Sequence, residues 1–234
     1  MVKLPGKRFE GELIRGWLHE PAASATGTST GIVRDALAIT HGAGSNCEAP
    51  LLVAIAEAFA AAGFYVLRFD LPYRQQRANG PPFPAMAARD REGIRRAAGA
   101  LREVMREGRD AGLREVAAAS SARVFLGGHS YGGRQATLAA AEDPRMADAL
   151  LLLSYPLHPP RKPQELRTAH FPKLETPALF VHGTRDPFGS IDDMRAALAA
   201  IPARHELIEI AGAPHGLSPK IAGWLSARLA EFTR

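Results

Sequence analysis

The sequence predicts a single α/β domain built around a doubly wound, mostly parallel sheet. Short, nearly continuous apolar runs alternate with longer segments of helical periodicity. Such runs are typical of parallel strands that helices cover on both faces. The 234 residues are 46% hydrophobic and 23% charged, which fits one globular core. Because no internal repeat and no linker of domain scale interrupts this pattern, we expect one domain over residues 1–234.

The N-terminal half is expected to begin with an edge strand or hairpin. Apolar and polar residues alternate from Phe9 to His19, as in a half-exposed strand. Residues 1–8 and the Ser-, Thr-, Gly- and Ala-rich stretch 22–31 are expected to be flexible. The remaining elements expected in this half are a strand at 36–40, a helix at 49–62, a strand at 64–69, a proline-rich loop at 71–84, a helix around 94–105 and a short helical piece around Leu113 and Val116.

The C-terminal half continues the alternation of strands and helices. Its expected elements are a strand from Val124, a helix from 133 to about 142, strands at 149–153 and 178–182, a helix at 194–201, a strand at 206–210 and a closing amphipathic helix at 217–232. About twenty residues, several of them prolines, separate the strands at 149–153 and 178–182, with one short helical piece expected at 165–170.

Charge and cysteine content exclude several classes of function. The formal net charge is +5, but the arginines are interleaved with acids, as in residues 89–92, and no basic block of six or more occurs. This pattern favours solvated, salt-bridged helix faces over a nucleic-acid-binding surface. The single cysteine, Cys47, excludes an internal disulfide and a Cys-rich zinc site, and a buried thiol is preferred over a reactive one.

Neither a secretory leader nor a membrane span is expected. The first residues, Met1 to Arg8, contain no apolar core of the kind a signal peptide needs. No run of eighteen apolar residues occurs anywhere in the sequence. We therefore expect a cytoplasmic protein.

The most informative stretch is a glycine-flanked serine between a strand and a helix. The apolar run that starts at Val124 leads directly into Gly128-His129-Ser130-Tyr131-Gly132, and an alanine-rich helical pattern follows at once. In this context the G-x-S-x-G pattern forms a nucleophile elbow, a sharp turn that exposes the serine hydroxyl. The flanking glycines remove the side chains that would block the close approach of the backbone. The alternative is an ordinary tight turn.

A base and an acid for Ser130 follow the ends of two later strands. Asp186 comes after the strand at 178–182, and His215 comes after the strand at 206–210. The carboxyl ends of parallel strands meet at one sheet edge, and the chain order Ser, Asp, His is that of the elbow enzymes. His215 is expected to take the proton from Ser130, and Asp186 to orient His215. Alone, Asp186 before Pro187 could be a turn residue, and His215 a surface-loop histidine.

Acyl transfer also needs hydrogen-bond donors where the oxyanion develops. The backbone N–H of Tyr131, directly after the nucleophile, is one candidate. The second is expected from the small-residue loop His41–Gly44, with the N–H of Ala43 preferred and that of Gly44 second. The same loop can also be interpreted as a plain strand–helix turn.

Five stretches of the sequence resemble a known enzyme family. They are Thr40–Gly44, Arg68–Arg74, Leu126–Gly132, Ser154–Pro159 and Leu179–Gly183. On these stretches the chain resembles the α/β-hydrolases of the dienelactone-hydrolase-like type. Within that type it resembles a small bacterial branch related to the testis-expressed and chromatin-complex α/β-hydrolase-like proteins. The resemblance runs from about Phe9 to the C-terminus and implies the α/β-hydrolase fold with a triad. Ser130 stands where dienelactone hydrolases carry a cysteine, which favours ester chemistry.

The resemblance also bears on the substrate pocket. Large helical lids of this superfamily are inserted between the strands at 149–153 and 178–182, where this chain has no room for one. We therefore expect no large lid and a shallow pocket for small acyl groups. The pocket candidates on loops at the catalytic edge are Tyr73, Arg74, Tyr155 and His158. Arg74 would bind a substrate carboxylate or phosphate, or instead pair with Asp70 or a loop carbonyl.

Together these observations predict a carboxylesterase-like serine hydrolase with a small-molecule substrate. The expected substrate is a small carboxylic ester, or a thioester or amide, cleaved through an acyl-Ser130 intermediate. Neither a metal nor an organic cofactor is implied, and neither nucleic acid nor a membrane is an expected partner. An acyltransferase with the same triad and a non-catalytic binding protein of the same fold are the alternatives. The oligomeric state is left open.

Overall fold

The computed structural model describes residues 6–21, 35–110 and 122–234, and the described residues form eight strands and six α-helices. The strands are β1 (Lys7–Gly11), β2 (Ile14–His19), β3 (Ala36–Thr40), β4 (Tyr65–Asp70), β5 (Val124–His129), β6 (Ala149–Leu153), β7 (Ala178–Gly183) and β8 (His205–Ile210). The α-helices are α1 (Pro50–Ala61), α2 (Pro72–Gln76), α3 (Ala87–Asp110), α4 (Tyr131–Glu142), α5 (Ile191–Leu198) and α6 (Ala222–Phe232). The predicted α/β class, with a mostly parallel sheet, is confirmed.

One sheet contains all eight strands, in the order β1-β2-β4-β3-β5-β6-β7-β8. The N-terminal hairpin pairs β1 with β2, and β2 pairs antiparallel with β4. Every other neighbouring pair is parallel. The carboxyl ends of β3, β5, β7 and β8 therefore lie at the same edge of the sheet, which is where ligand sites form in open α/β sheets.

Helices bury both faces of the sheet, as the apolar strands require. Residues of a strand alternate between the two faces, so that Leu126 of β5 packs on one side and Phe125 on the other. Buried side chains of α3, α4 and α5 cover the first face. Those of α1 and α6 cover the second. The alanine-rich sequence of α4 lets this helix lie close to the strands that carry the site.

Four sequence predictions about local structure are wrong. One is the start of the closing helix, which is expected at residue 217 and lies at Ala222. The expected loop 71–84 contains helix α2, which starts at Pro72 and whose second residue, Tyr73, donates its amide proton to Asp90 (3.0 Å). No helix forms at 165–170, because the Arg167 amide donates instead to the Leu157 carbonyl (2.7 Å). The helix expected at 194–201 begins earlier, at Ile191, where the Ser190 hydroxyl accepts from the Asp193 amide.

Some expectations fall on residues outside the described ranges. These are the flexible stretch 22–31, most of residues 1–8 and the helical piece around Leu113 and Val116. Between β6 and β7 the chain forms only turns and one 3₁₀ turn, Phe171–Lys173, so the predicted absence of a large lid is confirmed. Among the described residues, no helix combines the length and apolar character needed to cross a membrane.

Candidate active site

Ser130 occupies a strained turn between β5 and α4. Its backbone φ of 51° and ψ of −114° are outside the regions that L-residues normally adopt. The turn persists because its surroundings hold it: the Ser130 amide donates to the Leu153 carbonyl of β6 (2.8 Å). Strained residues of this kind are concentrated at functional sites. The geometry is that of a nucleophile elbow.

The glycines of the elbow are required by close backbone contacts. A Cβ atom on Gly128 would lie 2.4 Å from the carbonyl carbon of Gly132 and from the amide nitrogen of Gly133. A Cβ atom on Gly132 would lie 2.6 Å from the His41 carbonyl oxygen. These contacts are with backbone atoms, which have no room to move aside. The elbow therefore packs α4 directly against β5 and against the loop after β3.

Replacing Gly128 with alanine is expected to lower the free energy of unfolding by about 3 kcal/mol or more, because two elements would have to separate. Urea denaturation monitored by circular dichroism measures the change. The matched control is Gly99→Ala on the exposed face of α3, where a Cβ meets no atom within 4 Å. Gly99→Ala should raise the free energy of unfolding by roughly 0.5–1 kcal/mol. Equal effects of the two substitutions would contradict the packing argument.

The structure brings Ser130, His215 and Asp186 together in one hydrogen-bonded chain. The Nε2 atom of His215 is 2.8 Å from the Oγ of Ser130. Its Nδ1 atom is 2.7 Å from the Oδ2 of Asp186. The Asp186 carboxylate is fully buried, whereas the His215 side chain is 21% exposed. A buried carboxylate that accepts from Nδ1 leaves Nε2 free to accept the serine proton.

Neighbouring groups hold the acid and the base in place. The Oδ1 of Asp186 accepts the Phe188 amide (2.9 Å), which leaves Oδ2 to face His215. The Phe188 ring packs against the His215 ring at a centroid distance of 4.4 Å. His182, at the end of β7, donates from Nε2 to the Gly189 carbonyl (2.9 Å) and so closes the loop that contains Asp186. These contacts fix the His215 ring before any substrate is bound.

His129 supports the His215 loop from the elbow itself. Burial lowers the pKa of His129, so the ring is neutral at pH 7. Its Nε2–H then donates to the His215 backbone carbonyl (3.0 Å), and its Nδ1 is left as a hydrogen-bond acceptor. The sequence alone suggests no role for His129 beyond that of a spacer, since its partner is 86 residues away.

The two predicted oxyanion donors lie on either side of the elbow. Tyr131 is the first residue of α4, so its amide has no acceptor within the helix. The loop after β3 passes directly over the nucleophile, because a Cβ atom on Gly42 would lie 3.4 Å from the Ser130 Cβ. The His41 carbonyl also accepts the Gly132 amide (3.1 Å). In the described chain, neither the Tyr131 nor the Ala43 amide donates to another residue.

Two side chains fix the orientation of the peptide that carries the Ala43 amide, and a third holds the next peptide. The Gly42 carbonyl accepts from the Nδ1 of His41 (2.9 Å) and shares the single proton of the Tyr73 hydroxyl (3.2 Å) with the Ala43 carbonyl (2.8 Å). In a trans peptide the C=O and the following N–H point in opposite directions. Holding the Gly42 carbonyl on the Tyr73 side therefore turns the Ala43 N–H to the other side. Arg74 adds a bond from Nη2 to the Ala43 carbonyl (3.0 Å).

The His41 ring must be neutral to accept a hydrogen bond at Nε2 while it donates one from Nδ1 to the Gly42 carbonyl. Burial lowers its pKa to about 4. The Leu71 amide donates to Nε2 (3.1 Å), so the proton of the neutral ring is on Nδ1, where it faces the Gly42 carbonyl. The sequence pattern marks His41 only as part of a small-residue loop. The partner of its Nε2 atom, the Leu71 amide, comes from the loop after β4 and cannot be inferred from local sequence.

The structure does not place Tyr73, Arg74 or Tyr155 where a substrate would contact them, which corrects the pocket prediction. Tyr73 is 1% exposed, and its hydroxyl also donates to the Ala43 carbonyl (2.8 Å). Arg74 is 4% exposed and donates to loop carbonyls, including those of Ser45 and Gly80. Tyr155 is 1% exposed and donates to the Arg167 carbonyl (2.7 Å). His158 is also buried, with Nδ1 2.9 Å from the Pro159 carbonyl.

A cleft of about 300 Å³ lies beside the elbow. We call it the apolar cleft. Its walls are the first turn of α1, with Leu51 and Leu52, and the segment with Leu217 and Pro219 after the His215 loop. Gly42 and His129 form its side nearest to Ser130. None of these residues stands out as a pocket residue in the sequence, because they come from three separate loops and helix ends.

The Cys47 thiol is buried, and the Asp70 carboxylate has structural partners. Burial and Asp70 raise the pKa of Cys47 to about 12, so this thiol stays protonated. Asp70 accepts the Cys47 amide (2.8 Å) and pairs with Arg15 (3.2 Å), and so ties the loop after β3 to the N-terminal hairpin. Within the described ranges, no three histidine, cysteine or carboxylate side chains are grouped closely enough to bind a metal ion.

Comparisons with known proteins agree with this fold. The family model described as "Alpha/beta hydrolase domain" matches residues 33–227. The structure of TT1662 from Thermus thermophilus is similar over 98% of both chains, with 22% sequence identity and a TM-score of 0.66. A dienelactone hydrolase from Anabaena variabilis is similar over 97% of both chains, with 19% identity and a TM-score of 0.67. XC6422 from Xanthomonas campestris, described as an α/β serine hydrolase without lid, is 15% identical over 97% of this chain and 94% of its own, with a TM-score of 0.63.

Proposed function

The chain belongs to the alpha/beta hydrolase domain family, and on that premise we propose that it is a serine hydrolase of small carboxylic esters with a Ser130–His215–Asp186 triad. The observation that carries the proposal is the unbroken hydrogen-bonded chain from Asp186 through His215 to Ser130. A binding protein has no need of a strained serine with a matched base. The complete arrangement therefore favours catalysis.

The geometry supports the following acyl transfer. The Oγ of Ser130 attacks the ester carbonyl carbon while the Nε2 of His215 takes the hydroxyl proton. The carbonyl oxygen becomes an oxyanion, which the amides of Tyr131 and Ala43 stabilise. The bond to the alcohol oxygen then breaks, and His215 returns the proton to that oxygen. Water, deprotonated by His215, attacks the acyl-serine in the same way, and Ser130 regains its proton as the acid leaves.

The surroundings of Ser130 favour a small ester. The apolar cleft has a volume of only about 300 Å³, and in the described part of the chain no lid covers the site to bury a longer acyl group. The walls of Leu51, Leu52 and Leu217 suit an aliphatic or aromatic group. Neutral His129 lines the apolar cleft and keeps an unprotonated Nδ1, an acceptor for a substrate hydroxyl or amide that reaches it.

A panel of p-nitrophenyl esters tests the proposal. Acetate and butyrate esters should be cleaved faster than decanoate and palmitate esters at equal concentration, because the longer chains exceed the apolar cleft. A mass increase of one acyl group on the intact protein after mixing should identify the intermediate. Hydrolysis without any dependence on Ser130, or a clear preference for palmitate, would contradict it. Product analysis with added alcohols separates hydrolysis from acyl transfer.

Tyr73→Phe is expected to lower kcat by about tenfold with little change in KM, because the Gly42 and Ala43 carbonyls lose their hydroxyl donor. Part of the roughly 3 kcal/mol that an oxyanion donor supplies would then be lost. Steady-state kinetics on p-nitrophenyl butyrate measures this effect. Tyr155→Phe is the matched control, since it also removes a buried hydroxyl–carbonyl bond. If both variants keep the original kcat, the Ala43 amide in the loop after β3 does not depend on Tyr73.

We also propose a narrower placement in the family. The stretches Arg68–Arg74 and Ser154–Pro159 support the small bacterial branch related to the testis-expressed and chromatin-complex proteins. In this structure both stretches are structural: Arg74 and Tyr155 hold backbone carbonyls. Cytoplasmic location and the absence of nucleic-acid and membrane partners stay predictions from the sequence.

A further inference from the structure

A second cleft lies beside α4 and is separate from the apolar cleft. It has a volume of about 620 Å³ and is formed by α4 and the segment 159–173 that follows β6. We call it the basic cleft. The side chains that matter for its chemistry are Arg134, Leu138, Leu166, Arg167, His170 and Lys173. It shares no lining residue with the apolar cleft.

The positive charges of the basic cleft are uncompensated. The side chains of Arg134, Arg167 and Lys173 make no ion pair and no hydrogen bond within the described chain. The Nε of Arg134 is completely buried without a hydrogen-bond partner. Burial and the nearby Arg134 lower the pKa of Arg167. Two half-buried arginines that repel each other are unfavourable unless a third group neutralises them.

The acids of this cleft are already engaged elsewhere. Glu142 pairs with Arg91 (2.9 Å) and with Arg95 of α3. Glu165 pairs with Lys162 (2.8 Å). Glu142 is therefore bonded to α3 rather than to either arginine, and Glu165, which attracts Arg167, is itself paired with Lys162. The protein supplies three cationic side chains at one concave site and leaves the counter-charge to be supplied from outside.

Polar contacts within the cleft keep its inner wall rigid. The Thr137 hydroxyl donates to the Arg134 carbonyl (2.9 Å) and accepts from the Nε2–H of His170 (2.8 Å). Burial and Arg134 lower the pKa of His170 to about 4, so this ring stays neutral. The loop segment is thus fastened to α4 one turn from Arg134, and the arginines face a preformed surface.

The charge and shape of the cleft point to one class of ligand. A carboxylate would neutralise one of the three cations, whereas a phosphate monoester carries −1.5 to −2 charges and three acceptor oxygens. Guanidinium groups match phosphate oxygens with paired donors. Leu138 of α4 and the 52% exposed Leu166 add an apolar wall beside the arginines. We propose that the basic cleft binds a phosphorylated small molecule, with the phosphate between Arg134 and Arg167 and an apolar group against Leu138 and Leu166.

Isothermal titration calorimetry with phenyl phosphate tests the proposal. The wild-type protein and the Ser130→Ala variant should bind it equally, because the site is separate from the triad. Arg167→Gln and Arg134→Gln should each weaken binding by about tenfold or more, and Arg134→Lys, which keeps the charge, by less. The matched control is Arg145→Gln, an exposed arginine beyond the end of α4 and outside the cleft, which should not change the affinity.

Two further ligands distinguish phosphate recognition from other binding. Benzoate has the same ring but one charge, so it should bind at least about tenfold more weakly than phenyl phosphate. Inorganic phosphate should bind more weakly than phenyl phosphate, since it lacks the apolar group. Absence of phenyl phosphate binding at millimolar concentration would overturn the proposal. So would equal affinity for benzoate, or unchanged affinity in both glutamine variants. Because the Ser130→Ala protein is included, failure of the proposed hydrolase function leaves this result unaffected.

Discussion

Ser130→Ala is expected to lower kcat for p-nitrophenyl butyrate by on the order of 10⁵–10⁶-fold, to near the background rate. The alanine removes the atom that we propose forms the acyl-enzyme, while the strained turn, His215 and the loop after β3 stay in place. Without the nucleophile, the donors of Tyr131 and Ala43 have no covalent intermediate to stabilise. The wild-type protein should also be labelled by a fluorophosphonate probe, and the variant should not.

Ser226→Ala on α6 is the matched control for this substitution, because it removes a serine hydroxyl far along the chain from the elbow. It should keep the wild-type kcat and the labelling. Circular dichroism should show both variants folded. Should Ser130→Ala retain more than a few per cent of the activity, the nucleophile lies elsewhere. A well-folded wild-type protein that is neither labelled nor active would favour a binding function.

The large-scale fold could be predicted because it is determined by patterns that are local in sequence. A run such as Ala149–Leu153 is apolar on both faces, which is possible only for a strand covered on both sides. The absence of a large lid between β6 and β7 could be predicted because only the length of the connection is needed for it. Helix α2, by contrast, could not be predicted from a local pattern. Its five residues are held by the contact of Tyr73 with Asp90 on α3 rather than by helical periodicity.

The candidate triad could be assembled from the sequence for a topological reason. Ser130, Asp186 and His215 each follow a parallel strand, and the carboxyl ends of parallel strands meet at one edge. The distances then depend on the loops, which only the structure supplies. Phe188 and His182 hold Asp186 and His215 through contacts within and between those loops. No local pattern distinguishes them from ordinary loop residues.

The wrong predictions about Tyr73 and Arg74 have the same cause: contacts between distant loops leave no local pattern in the sequence. The position of both residues on a loop at the predicted catalytic edge predicts contact with a substrate, and the structure shows contact with carbonyls of the loop after β3 instead. The partners of the Tyr73 hydroxyl are about thirty residues away along the chain. Burial decides the outcome: a hydroxyl or guanidinium with almost no exposed surface must satisfy its hydrogen bonds inside the protein. Sequence spacing carries no information about such a contact.

Asp186→Asn should lower kcat by about 10⁴-fold while the protein stays folded. The substitution keeps the size of the side chain and its carbonyl oxygen, which still accepts from the Phe188 amide as Oδ1 now does. The amide NH₂ then faces Nδ1 of His215 in place of the carboxylate oxygen at 2.7 Å. His215 would respond with the opposite tautomer, which puts a proton on Nε2 and prevents it from accepting the Ser130 proton. The positive charge that forms on His215 during attack would also lose its counter-charge.

The kinetics separate this role from a merely structural one. Asp192→Asn on α5 is the control, because Asp192 is an exposed aspartate that pairs with Arg195 (3.0 Å), and its replacement should leave kcat unchanged. Raising the pH should partly restore the Asp186→Asn rate, since direct attack by serine oxygen deprotonated in solution needs no histidine base. If the decrease in kcat does not depend on pH, or if a thermal melt shows that the variant is unfolded, Asp186 stabilises its loop and does not orient His215. Because the carboxylate is buried and its Oδ2 faces His215, we expect the pH-dependent result.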